Sequence, residues 1–133
     1  MFTFPKTICL HDTDAAGRLY FANQFRLAHE AYEAFMASLG FPIGDILKAG
    51  RFGLPIVRAE ADYKAALSVG DALSIEVKPQ RVGQTSFTLL CRFVRDGRTV
   101  GRVTTVHVAV EARRGTKQPL PARLRTALLK AAR

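Results

Sequence analysis

The apolar positions of this chain repeat with a helical period in one stretch and a strand period in most of the rest. Phe25, Ala28, His29, Tyr32, Phe35, Met36 and Leu39 recur every three or four residues, with Arg26, Glu30, Glu33 and Ala37 on the opposite side. This spacing predicts one long amphipathic helix. Gly40 suits the left-handed position just past its end, and Pro42 stops any continuation. Ahead of it, residues 3–10 read as a first strand, with Pro5 marking an edge or a strand start. Residues 41–53 read as a loop with one helical turn at 46–49. From there the period falls to two. Residues 54–67 form a long strand with an irregularity near Pro55. In 72–81, Leu73, Ile75 and Val77 share one face, and Ser74, Glu76 and Lys78 the other. In 85–95, Phe87, Leu89, Cys91 and Phe93 share a face, and 98–111 is the last strand. Ser68-Val69-Gly70-Asp71, Val82-Gly83-Gln84 and Asp96-Gly97 punctuate these runs, the last as a strong hairpin signal. Pro119 and Pro121 precede a short basic helix over 122–132.

A strand, a long helix and then four strands joined by tight turns predict an α+β layer with an antiparallel sheet. The helix is apolar enough for a curved five-stranded sheet to wrap around it, with the C-terminal helix outside. The chain has 133 residues and no repeats or linkers, so it reads as a single domain over 1–133 that can bury a core without staples.

Composition narrows the function classes. No apolar run is long enough to cross a bilayer, and Met1–Lys6 lacks the apolar core of a signal peptide, so a cytoplasmic location is expected and no membrane partner. Cys9 and Cys91 lie in apolar runs and are expected to be buried free thiols. With the three scattered histidines they form no metal-like spacing, and no metal is expected. The net charge is +9, and all the excess lies in residues 81–133, with twelve Lys/Arg against two Asp/Glu. Such a half attracts nucleic acid, anionic lipid or a polyphosphate ligand. The chain has neither an RNA-binding aromatic signature nor a basic recognition helix, and no nucleic-acid partner is expected.

The candidate chemistry lies at His11-Asp12-Thr13-Asp14-Ala15-Ala16-Gly17 and the Arg18–Asn23 segment behind it. If the segment ahead of Gly17 is extended, Asp12 and Asp14 point to the same side. A carboxylate beside a helix start can attack a carbonyl, or activate water against it, while unpaired N–H groups stabilise the oxyanion. Asp14 also suits a helix cap or an Asx turn. Asp12 reads as structural, and Gly17 lets the backbone turn or a ligand approach closely. His29 reads either as a hydrogen-bonded core residue or as a polar contact in an apolar acyl pocket. Tyr20, Phe21, Tyr32 and Phe52 either line such a pocket or pack the core.

The run Asp12-Thr13-Asp14-Ala15-Ala16-Gly17, with Tyr20-Phe21-Ala22-Asn23 and His29-Glu30-Ala31-Tyr32-Glu33 after it, resembles the active-site segment of hot-dog acyl-CoA thioesterases, specifically the 4-hydroxybenzoyl-CoA thioesterase family. The His29–Glu33 stretch is most similar to the 1,4-dihydroxy-2-naphthoyl-CoA branch, which serves quinone biosynthesis. The resemblance implies the hot-dog fold and hydrolysis of an aromatic acyl-CoA without a cofactor. It implies Asp14 as nucleophile or base, the Phe21 backbone N–H as oxyanion donor, and Gly17, Tyr20, His29 and Tyr32 around the acyl group. It also implies CoA contacts from Arg81, Gly83, Gln84, Thr85 and Ser86. That loop is less basic here than in the benzoyl enzyme, so Arg113, Arg114 or Lys117 are alternative phosphate partners. A homodimer or homotetramer is implied, with each site built from two chains. Other substrates to weigh are 4-hydroxybenzoyl-CoA and short-chain acyl-CoA. A hot-dog dehydratase fits less well, because such sites use a His-centred relay. A basic module binding RNA or an acidic partner is the reading without catalysis.

Overall fold

In a computed structural model covering residues 1–133, the elements are β1 (Phe2–Thr7), α1 (Asn23–Ser38), α2 (Ile43–Ala49), β2 (Phe52–Gly53), β3 (Ile56–Tyr63), β4 (Ala72–Val82), β5 (Ser86–Arg95), β6 (Arg98–Val108), β7 (Val110–Glu111) and α3 (Ala122–Ala131). The five long strands make one antiparallel sheet in the order β1-β4-β5-β6-β3. β2 and β7 form a separate two-stranded ribbon. No helix is long and apolar enough to cross a membrane.

The alternation in β4 and β5 decides which side of the sheet is covered. Leu73, Ile75, Val77, Phe87, Leu89, Cys91 and Phe93 are buried, and their alternate neighbours are not. α1 lies on that face and contributes Leu27, Ala31, Phe35 and Met36 to the same core. Burying an aliphatic or aromatic side chain of this kind stabilises a fold by about 1.5–3 kcal/mol, so a single face of α1 is enough to fix the helix on the sheet. α3 packs Leu124 and Leu128 into the core beside β4.

Several boundaries differ from the sequence pattern for identifiable reasons. The first strand ends at Thr7 rather than at residue 10, because Leu10–Asp12 closes a 3-10 turn in which the Asp12 carboxylate accepts the Cys9 N–H at 2.7 Å. Cys9 is therefore only half-buried, whereas Cys91 is buried. The 41–53 segment contains a full short helix, α2, and the β2 strand. The strand expected over 98–111 breaks after Val108, where β7 leaves the sheet to pair with β2. The buried stripe of α1 is also rotated from the expected one. Gln24, Leu27 and Ala31 lie inside, while Phe25 is half-buried and His29 exposed. Gln24 is tolerated there because its amide donates to the carbonyls of Asp62 (2.9 Å) and Arg102 (3.2 Å), which pins the start of α1 to β3 and β6.

Candidate active site

The two carboxylates of the motif do not share a side. Asp12 is fully buried. It accepts from the Cys9 N–H and from the Arg26 guanidinium, and His11 Nε2 lies 3.5 Å away. Burial by itself would raise its pKa. The Cys9 amide and the Arg26 cation outweigh that and hold the carboxyl below its usual range. Its backbone oxygen accepts the Tyr20 N–H (3.1 Å) and the Asn23 side-chain amide (2.8 Å). Asp12 thus ties together the turn before the motif and the start of α1, the structural role expected of it.

Asp14 is exposed, in a small hairpin closed by the Thr13–Leu19 bridge. Its N–H donates to the Arg18 carbonyl at 2.8 Å. Its Oδ1 accepts from the amides of Ala16 (2.9 Å) and Arg18 (3.3 Å), an Asx-type turn, and Oδ2 makes no hydrogen bond in the chain. Gly17 completes the turn at φ +76°, a conformation that L side chains rarely adopt; a Cβ there would meet nothing within 4 Å, so the requirement is conformational. The Arg18 side chain reaches Ser68 Oγ at 2.9 Å and anchors the hairpin to the turn before β4.

α1 starts at Asn23, six residues beyond Gly17, and Ala22 supplies no side-chain cap. The N–H groups of Phe21 and Ala22 have no acceptor in the chain. They are unpaired donors at a helix start, where the helix dipole also favours negative charge. Phe21 is held from its other side, since its carbonyl accepts the Tyr63 hydroxyl at 2.8 Å. The Tyr20 and Phe21 rings are exposed and pack on each other with centroids 4.9 Å apart.

Farther along α1 a cavity of about 420 Å³ opens between the helix, β6 and the β3 edge. Phe25, Ala28, His29 and Tyr32 line its helix side, and Thr105 and His107 its sheet side. His29 and Tyr32 meet on that wall, with ring centroids 5.2 Å apart. Burial pushes the Tyr32 hydroxyl well above the usual phenol range. Cys91 also lines the cavity, and burial pushes its thiol up to about 12, so it is not a thiolate nucleophile. Phe52 packs against the core through the β2–β7 ribbon and does not line the cavity.

The loop of Arg81, Gly83, Gln84, Thr85 and Ser86 is braced by Gly83 N–H to Ser86 O (2.8 Å), Ala109 N–H to Thr85 O (2.8 Å) and Arg125 Nε to Gly83 O (2.9 Å). The amides of Gln84 and Thr85 are unpaired. Arg113, Arg114 and Lys117 lie at the same end of the sheet, after β7. The Asp14 hairpin is tied to the other end, near the start of β4. β4 has 11 residues, so about 33 Å of strand separates the two ends. One chain does not bring the Asp14 turn and the 81–86 loop together.

Sequence reasoning missed Gln24, Tyr63, Thr105 and His107. The available signal was parity. Counting in twos from Val103 puts Thr105 and His107 on the covered face of β6, and polar residues on a buried face are the informative ones.

A sheet wrapped on a central helix, with an exposed carboxylate and unpaired amides at the helix start, defines the hot-dog class of acyl-thioester enzymes. Residues 8–128 match the thioesterase-like superfamily, and the chain belongs to it. It is 37% identical over 124 residues to the 1,4-dihydroxy-2-naphthoyl-CoA hydrolase of Synechococcus elongatus, covering 92% of this chain and 91% of that one. With the hydrolase of the same name from Nostoc punctiforme it shares 35% over 120 residues, 90% and 81% of the two chains. The crystal structure of a 1,4-dihydroxy-2-naphthoyl-CoA thioesterase from Synechocystis superposes with a TM-score of 0.91 at 29% identity, covering 99% of this chain and 98% of that one. A gentisyl-coenzyme A thioesterase superposes with a TM-score of 0.87 at 28% identity, covering 96% and 99%.

Proposed function

We propose that this protein hydrolyses an aromatic acyl-CoA thioester, with 1,4-dihydroxy-2-naphthoyl-CoA as the substrate and 1,4-dihydroxy-2-naphthoate and CoA as products, in the cytoplasm. The observation that carries the reading is the Asp14 carboxylate with one free oxygen, a few residues before the unpaired Phe21 amide at the start of α1. The named relatives act on hydroxylated aromatic acyl groups, and the cavity beside α1 has the apolar lining such a ring requires.

In this reading the Phe21 N–H receives the thioester oxygen, with Ala22 beside it. Asp14 either attacks the carbonyl to form a mixed anhydride that water cleaves, or takes a proton from an attacking water. Charge developing on the oxygen is stabilised by the amide and the helix start, an effect worth about 3–4 kcal/mol for one well-placed donor. The bond that breaks is carbonyl carbon to sulphur, and CoA leaves as the thiol. Tyr20, His29 and Tyr32 contact the acyl group, and Gly17 keeps the Asp14 turn in shape.

The CoA end comes from a second chain. β3 is an open sheet edge that exposes Ile56, Val57 and Tyr63. Two-fold antiparallel pairing of β3 with a partner's β3 sets the Ile56 end of one chain beside the Tyr63 end of the other. The 81–86 loop and Arg113, Arg114 and Lys117 of one subunit then approach the Asp14 hairpin of the other. The free amides of Gln84 and Thr85 and the basic side chains suit phosphate groups.

Thiol release over a panel of CoA esters tests the reading. 1,4-Dihydroxy-2-naphthoyl-CoA should be turned over far faster than butyryl-CoA, and Asp14→Asn should lower kcat by at least about a hundredfold with unchanged thermal unfolding. A wild type that prefers butyryl-CoA overturns the substrate, and an active Asp14→Asn overturns the assigned carboxylate.

A further inference from the structure

The sheet side of the cavity carries a polar pair that the reaction at Asp14 does not use. Thr105 Oγ1 and His107 Nε2 are 2.9 Å apart. His107 is 1% exposed and clamped between aromatic faces, with Tyr32 at 4.5 Å (26° between planes) and Phe87 at 4.8 Å (4°). Its Nδ1 is buried without a hydrogen-bond partner; the Leu54 carbonyl nearby favours the protonated ring but lies outside hydrogen-bond geometry. Burial holds the His107 pKa down to about 4, so the ring is neutral at neutral pH.

A neutral imidazole and a hydroxyl together carry two protons that can be donated, and their mutual hydrogen bond uses one. If Thr105 donates to Nε2, its oxygen keeps lone pairs for the cavity. If Nε2–H donates to Thr105, the Thr105 proton is left over. In either tautomer Thr105 has spare capacity on the sheet wall of the cavity, where Ile56, Ala59 and Cys91 offer little else, while His29 and Tyr32 face it from the helix side. The arginine at the rim, Arg26, is already engaged by Asp12 and Glu30. A phenolic hydroxyl both donates and accepts, so it satisfies either state of the pair. A carboxylate or an ammonium would be left uncompensated beside a neutral pair.

We propose that Thr105, oriented by His107, is the specificity-determining contact for the ring hydroxyl of the acyl group remote from the thioester. The inference rests on the aryl-thioester reading above. His107 is a positioning residue, since it acts on the ligand through Thr105 and is locked by Tyr32 and Phe87. A hydroxyl next to the thioester carbonyl can bond that carbonyl internally, whereas a remote one needs a protein partner. Losing such a partner in an apolar cavity is what allows a site to distinguish a hydroxylated ring from a bare one.

The test compares kcat/KM for 1,4-dihydroxy-2-naphthoyl-CoA and 1-hydroxy-2-naphthoyl-CoA, which differ only in the remote hydroxyl. Wild type should favour the first by about tenfold or more. Thr105→Val, which keeps the shape and removes the hydroxyl, should reduce that ratio to near one mainly through the dihydroxy substrate. Thr105→Ser should retain it, and His107→Phe, which keeps a ring between Tyr32 and Phe87, should give a ratio in between. Equal losses on both esters in Thr105→Val, or an unchanged ratio, overturn the inference in favour of simple packing. Failure of the parent reading is distinct. Wild type would then cleave butyryl-CoA and ignore both aryl esters before any variant is made, and the inference would fall with it.

Discussion

His107 links stability to pH in a direction that can be worked out. Its reference pKa is 6.5, and in the folded chain it is held at about 4 because the buried ring resists charge, with His29 adding to the effect. As pH falls below 6.5 the unfolded chain takes up a proton there and the folded chain does not, so stability declines until about pH 4. The full effect is on the order of 3 kcal/mol. Asp12 acts in the same direction in a lower window. Its folded pKa is depressed, so its contribution is present above the ordinary carboxylate range and is lost as pH falls through the folded value. Urea unfolding between pH 7 and 4.5 should show the His107 slope, and His107→Phe should flatten it; an unchanged slope in that variant refutes the assignment. At this scale the sequence displayed the acidic motif and the turn glycine openly. It signalled the buried pair on β6 only through parity with Val103, because a threonine and a histidine two apart in a strand carry no mark of their own of whether their face is covered or wet.

The join between α1 and the sheet depends on an element-scale fit rather than on helix propensity. α1 has neither a side-chain cap nor an acidic residue in its first turn, yet its start is fixed. The Gln24 amide bridges β3 and β6 there, and Gly101 on β6 leaves the space it occupies. A Cβ at Gly101 would lie 2.9–3.1 Å from the Gln24 amide atoms. Gln24 is buried and hydrogen-bonded on both sides, so it cannot swing away without losing those bonds. Gly101→Ala should destabilise by about 1–3 kcal/mol in urea unfolding, and Gln24→Ala in the same chain should recover part of the loss. If the two substitutions simply add, the close fit is not the cause. The period of α1 was legible in the sequence, but its rotation was not. Alanines fit either side of a helix, and the burial of Gln24 depends on two carbonyls, of Asp62 and Arg102, that are distant in sequence.

For the whole molecule, the exposed edge of β3 and the separation of the Asp14 hairpin from the 81–86 loop call for the same remedy, a second chain. Val57 is an apolar side chain, 62% exposed, on that open edge. Val57→Lys puts a strongly hydrated charge where the proposed seam would bury an apolar side chain, a device that natural edge strands use against pairing. Sedimentation should find the wild type dimeric or tetrameric and this variant shifted to monomer, with at least a tenfold loss of thiol release. A fully active monomer would remove the two-chain site. The sequence by itself determined the succession of one strand, one long helix and four long strands, the antiparallel sheet and the acidic turn, because these follow from local period, turn chemistry and a short motif. Tertiary structure alone decided that Asp12 is buried and Asp14 exposed, which face of α1 is covered, and that Thr105 and His107 meet a cavity. Those outcomes depend on which distant backbone groups and side chains come together, and residue spacing along one chain carries no record of that.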